Sequence, residues 1–147
     1  MPNDTLIGGK GTDSLNGGSG SDTYSFSIGD GADTITDWSQ YGSNDMDSIT
    51  FGAGITKNDV RFMMKNGNLL IGYAQNDTIN VQYAQNTQAQ IEKFTLSDGN
   101  YLTSNDLNVI IQSMSAYATD HGMSITSLDT VKNNQALMNI VAGAWHQ

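Results

Sequence analysis

The stretch NDTLIGGKGTDSLNGGSGSDTYSFSIGDGADTIT, residues 3–36, has a nine-residue period. Two intact units, GGKGTDSLN at 8–16 and GGSGSDTYS at 17–25, follow one another directly, and a looser unit, IGDGADTIT, occupies 28–36 after two extra residues. One acid per unit is followed, two positions later, by an apolar side chain. Successive acids are nine, nine and eleven residues apart: Asp4, Asp13, Asp22 and Asp33.

Each unit divides into a six-residue glycine turn and a short extended segment. Glycines at the first, second and fourth positions can adopt positive φ without a Cβ penalty. The turn lets carbonyl oxygens converge beside the carboxylate at position six, and Ca²⁺ takes such hard oxygen ligands in sets of about six to eight. The candidate metal residues of these turns are Asp4, Gly8, Gly9, Gly11, Asp13, Gly17, Gly18, Gly20, Asp22, Gly29, Gly31 and Asp33.

If one unit makes half a coil, units two apart stack on the same edge. Asp4 then faces Asp22 and Asp13 faces Asp33, with an ion between each pair, and one apolar side chain per unit points inward. A flexible Gly- and Asp-rich linker has a similar composition. Nothing in a linker would keep an Asp and an apolar residue in phase across four units. The units match the G-G-x-G-x-D-x-U-x motif of RTX calcium-binding repeats, and this resemblance implies a parallel β-roll.

Residues 37–47, DWSQYGSNDMD, follow as a polar connection with aromatic side chains. The phrase DSITF at 47–51 repeats the DTITD of 33–37, so we expect the coil to continue irregularly. Asp37 and Asp47 join the candidate metal ligands on this ground, with Asp45 beside them. The same three acids could equally be turn caps.

Composition narrows the classes of partner. The net charge is −9, with 15 acidic against 6 basic residues, which disfavours nucleic acid and anionic membrane surfaces. There is no Cys, so neither disulfides nor thiol chemistry is available. No apolar run is long enough for a transmembrane segment. We expect a monomer. Because the chain begins in the second half of a repeat unit, we also expect it to be the carboxyl-terminal piece of a longer protein.

The remainder predicts a β flank and a helical tail. Alternating apolar residues within 49–102 indicate antiparallel strands, with Asn66-Gly67 as a type I′ hairpin turn. Ser104 is the expected N-cap of a first helix that ends at His121-Gly122, and a second helix is expected from Leu128 to Ala144. The predicted domains are therefore 1–50, a β-roll truncated at its amino end, 51–102, a β-strand cap, and 103–147, a helical tail.

The resemblance extends beyond the repeats. Residues 29–102 are similar to the haemolysin-type calcium-binding flank that follows RTX repeats, and the layout resembles the carboxyl end of adenylate cyclase toxin and related exoproteins. That resemblance implies secretion by a type I apparatus through an uncleaved carboxyl-terminal signal, and an extracellular or bacterial cell-surface location. The tail could be that signal, or simply a packed cap.

No catalytic motif accompanies these features. The two His residues, His121 and His146, lie in the tail, and no nucleophile-elbow sequence supports a serine triad. We therefore expect no catalytic residues here, Ca²⁺ as the cofactor, and a toxin-like module that folds outside the cell in calcium and is disordered without it. A host cell surface is a candidate partner of the full-length protein. The alternative is the distal sugar- or ligand-binding module of an RTX adhesin, with Tyr41, Tyr73 and Tyr83 lining the site.

Overall fold

The structure is a computed structural model that describes residues 3–18, 20–37, 45–74, 76–83 and 91–147. Within these ranges the chain is mainly β, with mixed sheets and three helices. The strands are β1 (Thr5–Ile7), β2 (Ser14–Leu15), β3 (Thr23–Phe26), β4 (Ala32–Ile35), β5 (Ser48–Phe51), β6 (Arg61–Lys65), β7 (Asn68–Gly72), β8 (Thr78–Val81), β9 (Lys93–Thr95) and β10 (Tyr101–Thr103). The helices are α1 (Ser104–Asp120), α2 (Leu128–Lys132) and α3 (Gln135–Gly143).

The strands form two five-stranded sheets, ordered β1-β3-β5-β9-β10 and β2-β4-β8-β7-β6. From β1 to β5, successive strands alternate between the two sheets. The connections from β1 to β4 are glycine turns, which reverse the chain after only a few extended residues. Strands within each stack run parallel: β1, β3, β5 and β9 in one sheet, and β2, β4 and β8 in the other. Each sheet contains strands from before and after residue 50, where the sequence predicts a domain boundary.

The antiparallel pairs lie at one end of each sheet. The hairpin β6–β7 turns at Asn66 (φ 55°) and Gly67 (φ 81°), so the predicted type I′ turn is confirmed. The expectation of antiparallel strands over 49–102 is incomplete: β8 pairs antiparallel with β7 and β9 with β10, but three strands of this range also form parallel pairs. β5 pairs in parallel with β3, β8 with β4, and β9 with β5, because these segments continue the stacks begun by the repeats.

One hydrophobic core joins the repeats, the flank and the tail. Its repeat-derived members Tyr24 and Ile35 are both 0% exposed, whereas Leu6 and Leu15 are only partly buried. The fully buried tail residues Val131, Leu137 and Val141 belong to the same cluster. Its buried members from the flank include Phe51, Val60, Phe62, Leu69, Ile71, Ile79, Val81, Phe94 and Leu96.

The helical region differs from the prediction in two places. Thr103, not Ser104, is the N-cap of α1, because its side chain and that of Asp106 form a reciprocal capping box. The single second helix expected over 128–144 is two helices, since Asn134 caps α3 through Leu137 N–H at 3.1 Å. The end of the chain returns to the sheet, where His146 forms a bridge with Tyr101. No helix in the described ranges is long and apolar enough to cross a membrane.

Candidate metal centre

The glycines of a turn serve two separate needs. Gly18 and Gly20 have φ of 74° and 102°, the left-handed region that other residues rarely adopt. A Cβ on Gly17 would lie 2.3 Å from Asp22 Oδ2, so this first glycine leaves room for the carboxylate of its own turn. The preceding unit repeats the pattern through Gly8, Gly9, Gly11 and Asp13, with a Cβ on Gly8 lying 2.7 Å from Asp13 Oδ2.

The third turn stacks closely on the first. Gly29 and Gly31 again have positive φ, at 94° and 90°, but Ile28 occupies the position of the first glycine. A Cβ on Gly31 would lie 2.6 Å from the carbonyl oxygen of Gly11. The glycine at this position therefore lets two turns on the same edge approach each other.

Four acids form a row at the edge where the parallel strands of the first sheet begin. The register pairs Thr5 with Thr23, Thr23 with Ser48 and Ser48 with Lys93, so the residues just before them are adjacent. In this row three of the four carboxylates accept the backbone N–H of the preceding acid. The bonds are Asp4 N–H to Asp22 Oδ1 at 2.9 Å, Asp22 N–H to Asp47 Oδ1 at 2.9 Å and Asp47 N–H to Glu92 Oε1 at 2.8 Å.

The second sheet has a shorter row. Asp13 N–H donates to Asp33 Oδ1 at 3.0 Å, so the predicted facing of this pair, like that of Asp4 and Asp22, is confirmed. On the next strand the residue paired with Asp33 is Ile79, so the row of acids ends at Asp33, and Asp77 lies opposite Gly31. The Asp77 carboxylate accepts from Gly29 N–H at 2.8 Å and Gly31 N–H at 2.9 Å, one bond to each oxygen.

Two carboxylates of the first row and one from outside it form a cluster. Asp22, Asp37 and Asp47 are each 0% exposed, and one oxygen of each lies within 4.8 Å of the others. Asp22 Oδ2 and Asp37 Oδ1 have no hydrogen-bond partner among the described residues. The other oxygen of Asp37 accepts from the Tyr24 hydroxyl, which itself accepts Gly17 N–H at 2.8 Å. Burial and the Asp37 carboxylate raise the pKa of Tyr24, so its hydroxyl stays protonated and able to donate.

Burial disfavours charge on these acids when no cation is bound. Burial, reinforced by neighbouring carboxylates, raises the pKa of Asp37 to about 6, that of Asp47 to about 7 and that of Glu92 to about 7. The same causes raise the pKa values of Asp22 and Asp33. A cation among them would remove the mutual repulsion and favour the charged forms.

The donor set fits a hard divalent cation. The unpartnered atoms are buried carboxylate oxygens, in turns whose first glycine leaves space for them, and no soft sulfur or imidazole ligand lies among them. Asp13 Oδ2 and Asp33 Oδ2 are likewise buried without a partner in the described part of the chain. Asp22, Asp37 and Asp47 would hold a cation beside the first row, and Asp13 with Asp33 beside the second.

Residues 3–24 match the family model of the RTX calcium-binding nonapeptide repeat, which contains four copies. These residues are an RTX repeat block. Repeats of this family bind Ca²⁺, so the predicted cofactor is confirmed. They are non-catalytic, are typical of secreted proteins and imply the calcium-binding module of a type I-secreted protein. The comparison with curated proteins finds no match.

The predicted residues do not all lie together. Asp4, Asp22 and Asp47 share the first row with Asp37 beside them, whereas Asp13 and Asp33 lie in the second. Asp4 is exposed, and the glycines act through backbone shape and space. Tyr73 cannot line a surface site, because it is 0% exposed and packs against Phe26 and Phe51. Tyr41 lies outside the described residues.

Sequence reasoning missed Asp77, Glu92 and the hydroxyl of Tyr24. A signal for the two acids was available, because both begin the short pattern of an acid and an apolar residue that each unit contains. Asp77 begins DTIN and Glu92 begins EKFT, each with an apolar residue two positions after the acid, as in the DTYS that begins at Asp22. Neither acid follows a glycine turn, which is why the nine-residue frame passes over both.

Proposed function

We propose that this chain is a calcium-dependent folding and secretion module, in which the alternating parallel strands form a calcium-binding β-roll. The observation that carries the proposal is the pair of acid rows between stacked turns, with buried carboxylate oxygens that lack partners among the described residues. Without a cation, Asp22, Asp37 and Asp47 place like charges close together away from water, which opposes folding.

Calcium concentration then decides whether the chain folds. Extracellular calcium modules bind with Kd of about 10⁻⁴ to 10⁻³ M. At a Kd of about 10⁻⁴ M and about 2 mM Ca²⁺, each site stabilises the folded state by about 1.8 kcal/mol. At submicromolar cytosolic calcium the same contribution is close to zero. The chain would stay unfolded inside the producing cell and fold outside it.

This dependence suits export as an unfolded chain through a type I secretion apparatus, with the mature protein secreted or held at the bacterial cell surface. We place the module in a toxin-like exoprotein whose activity, and whose contact with a host cell surface, lie in other parts of the protein. The support is the RTX repeat block together with the acid rows that extend past it to Glu92.

Circular dichroism tests the folding step directly. The chain in chelator should give a largely disordered spectrum, and about 2 mM Ca²⁺ should produce the β and helical signal. Mg²⁺ at the same concentration is the control, and it should be far less effective because it demands near-octahedral geometry and dehydrates reluctantly. A fully native spectrum in chelator would overturn the proposal.

A matched pair of variants tests the ligands. Asp22→Asn keeps the turn but removes a buried charge, and should raise the calcium midpoint severalfold. Asp98→Asn removes the same charge from an exposed hairpin, where the side chain accepts Asn100 N–H at 3.0 Å, and should leave the midpoint unchanged. Equal midpoints for the two variants would contradict the assignment of Asp22 as a ligand.

A further inference from the structure

Asp37 does not belong to the nine-residue repeat, yet it reaches the first acid row. It follows β4 by two residues, whereas the acids of the row each precede a strand. It is 0% exposed and lies in one cluster with Asp22 and Asp47, with its Oδ1 unpartnered among the described residues. The cluster therefore holds one carboxylate more than stacking of repeat turns would supply.

Tyr24 connects this third carboxylate to a glycine turn. Its hydroxyl donates to Asp37 and accepts Gly17 N–H at 2.8 Å, so it joins the cluster to the first residue of the turn that holds Asp22. Tyr24 occupies the inward apolar position of its unit. The other units have aliphatic side chains there, without a hydroxyl: Leu6, Leu15 and Ile35.

The second row has no such addition. Asp13 and Asp33 face each other, but no third acid joins them in a cluster within the described ranges. Asp13 is also less buried than any member of the three-acid cluster. Since cation affinity rises with the number of charged ligands and the rigidity of the site, the two rows should differ in strength.

We propose that Asp22, Asp37 and Asp47 form a distinct, tighter cation site that fills before the site of Asp13 and Asp33, and that Tyr24 is the positioning residue that couples its filling to ordering of the turn at 17–22. This rests on the proposed calcium function. The coupling follows from the hydrogen bonds. A cation that fixes the Asp37 carboxylate also fixes the Tyr24 hydroxyl that donates to it, and the hydroxyl oxygen is then in place to accept Gly17 N–H.

Two acid variants test the order of filling. Calorimetric calcium titration of the full chain should show a tight and a weaker phase. Asp37→Asn should weaken the tight phase by about tenfold or more, since one of three charged ligands is lost. Asp33→Asn, a matched control because Asp33 is 2% exposed and also has an unpartnered oxygen, should keep the tight phase and lose the weaker one.

Two tyrosine variants test the coupling. Tyr24→Phe keeps the ring in the core and should raise the midpoint of the tight phase by about tenfold, because a buried hydrogen bond to a carboxylate is lost. Amide hydrogen exchange at Gly17 should accelerate with it. Tyr73→Phe is the control: Tyr73 is also 0% exposed, but among the described residues its hydroxyl makes only a long hydrogen bond, 3.4 Å, to the Ser27 carbonyl. Its midpoint should stay within about twofold of the wild type.

The outcomes separate the two proposals. A wild-type chain that takes up no calcium would end the proposed function itself. If the wild type binds and folds but Asp37→Asn behaves like Asp33→Asn, only the distinct site is refuted. Equal midpoints and equal Gly17 exchange in Tyr24→Phe and Tyr73→Phe would refute the coupling. Should Asp37→Asn fail to fold at any calcium concentration, the comparison of Tyr24→Phe with Tyr73→Phe tests the proposal instead.

Discussion

The first and second glycines of each turn have different physical roles. Gly17 lies where a Cβ would meet Asp22 Oδ2 at 2.3 Å, whereas a Cβ on Gly18 would meet nothing within 4 Å but would sit on a backbone with φ of 74°. Space limits the first position and backbone conformation limits the second. Asn tolerates the left-handed region better than other non-glycine residues.

These roles predict that one of two glycine substitutions shifts the calcium midpoint and the other does not. Gly17→Ala should displace the Asp22 carboxylate and raise the calcium midpoint severalfold. Gly18→Asn should stay close to the wild type, because open space and a tolerated φ accommodate it. Calcium titration followed by circular dichroism measures both. A larger shift for Gly18→Asn than for Gly17→Ala would contradict the steric account.

The raised carboxylate pKa values predict opposite pH dependences with and without calcium. The pKa values of Asp37, Asp47 and Glu92 rise to about 6, 7 and 7 in the folded chain. The folded metal-free chain therefore binds more protons than the unfolded one, so this stability is present at low pH and is lost as pH rises through about 6 to 7. Calcium binds the deprotonated carboxylates, so the calcium affinity increases as pH rises.

We therefore expect the calcium midpoint to increase as pH falls from about 8 to about 5, while any residual structure in chelator increases over the same range. Circular dichroism titrations at the two pH values measure both trends. A calcium midpoint that is independent of pH would show that these carboxylates do not compete with protons for the ion.

At the level of strands and turns, Asp77 lies opposite Gly31 and not in line with Asp33, because β4 and β8 pair Ala32 with Thr78 and Asp33 with Ile79. Its two oxygens accept Gly29 and Gly31 N–H, so a side chain from β8's leading edge closes the third glycine turn. Asp77 is 7% exposed. Asp77→Asn would leave one of the two N–H groups facing an NH₂ donor and the other with a neutral acceptor, and should lower the free energy of unfolding in calcium by about 2 kcal/mol.

Because Asp77 binds the turn through N–H groups, its loss should not change the number of calcium ions bound. Urea unfolding in saturating calcium gives the stability, and calorimetry gives the stoichiometry. Asp59→Asn is a suitable control, since that carboxylate accepts from Thr56 in an exposed local turn. Loss of a calcium ion in Asp77→Asn would instead make Asp77 a ligand.

The sequence predicted local elements well and distant pairings less well. The hairpin at Asn66-Gly67 was predictable because both residues favour positive φ and the turn determines its own register. The pairing of β8 with β4 joins strands more than forty residues apart, as Ala32 with Thr78. Alternating apolar residues reveal a strand but not its partner or direction, so the parallel continuation of the stacks was missed.

The same contrast holds for the candidate site. Asp4, Asp13, Asp22 and Asp33 were predictable from spacing alone, because the stacking of turns repeats every second unit. Asp37 was a candidate because the phrase that ends at it, DTITD, is repeated as DSITF at 47–51, whereas Glu92 lies outside the nine-residue frame and was missed. The hydroxyl of Tyr24 looked like core packing, because its neighbours in phase are aliphatic.

Over the whole molecule, the tail is part of the folded unit. Val131 and Leu137 are 0% exposed in the common core, and Trp145 is 8% exposed. Backbone bonds join Tyr101 and His146 in both directions at 2.9 Å. Of the two readings that the sequence left open, a packed cap matches this packing, while a role in export stays a prediction. Deleting the tail would uncover the core, so a loss of export after deletion could reflect misfolding.

One substitution in each of two helices tests whether the tail is packed into the core or is a secretion signal that does not contact it. Val141 in α3 is 0% exposed, and Val109 in α1 is 61% exposed. Val141→Ala should lower the free energy of unfolding in saturating calcium by about 2 kcal/mol, because it removes buried methyl groups and leaves a cavity. Val109→Ala should stay within about 0.5 kcal/mol of the wild type. Urea denaturation measures both, and equal stability of the two variants would mean that α3 does not contribute to the calcium-folded core.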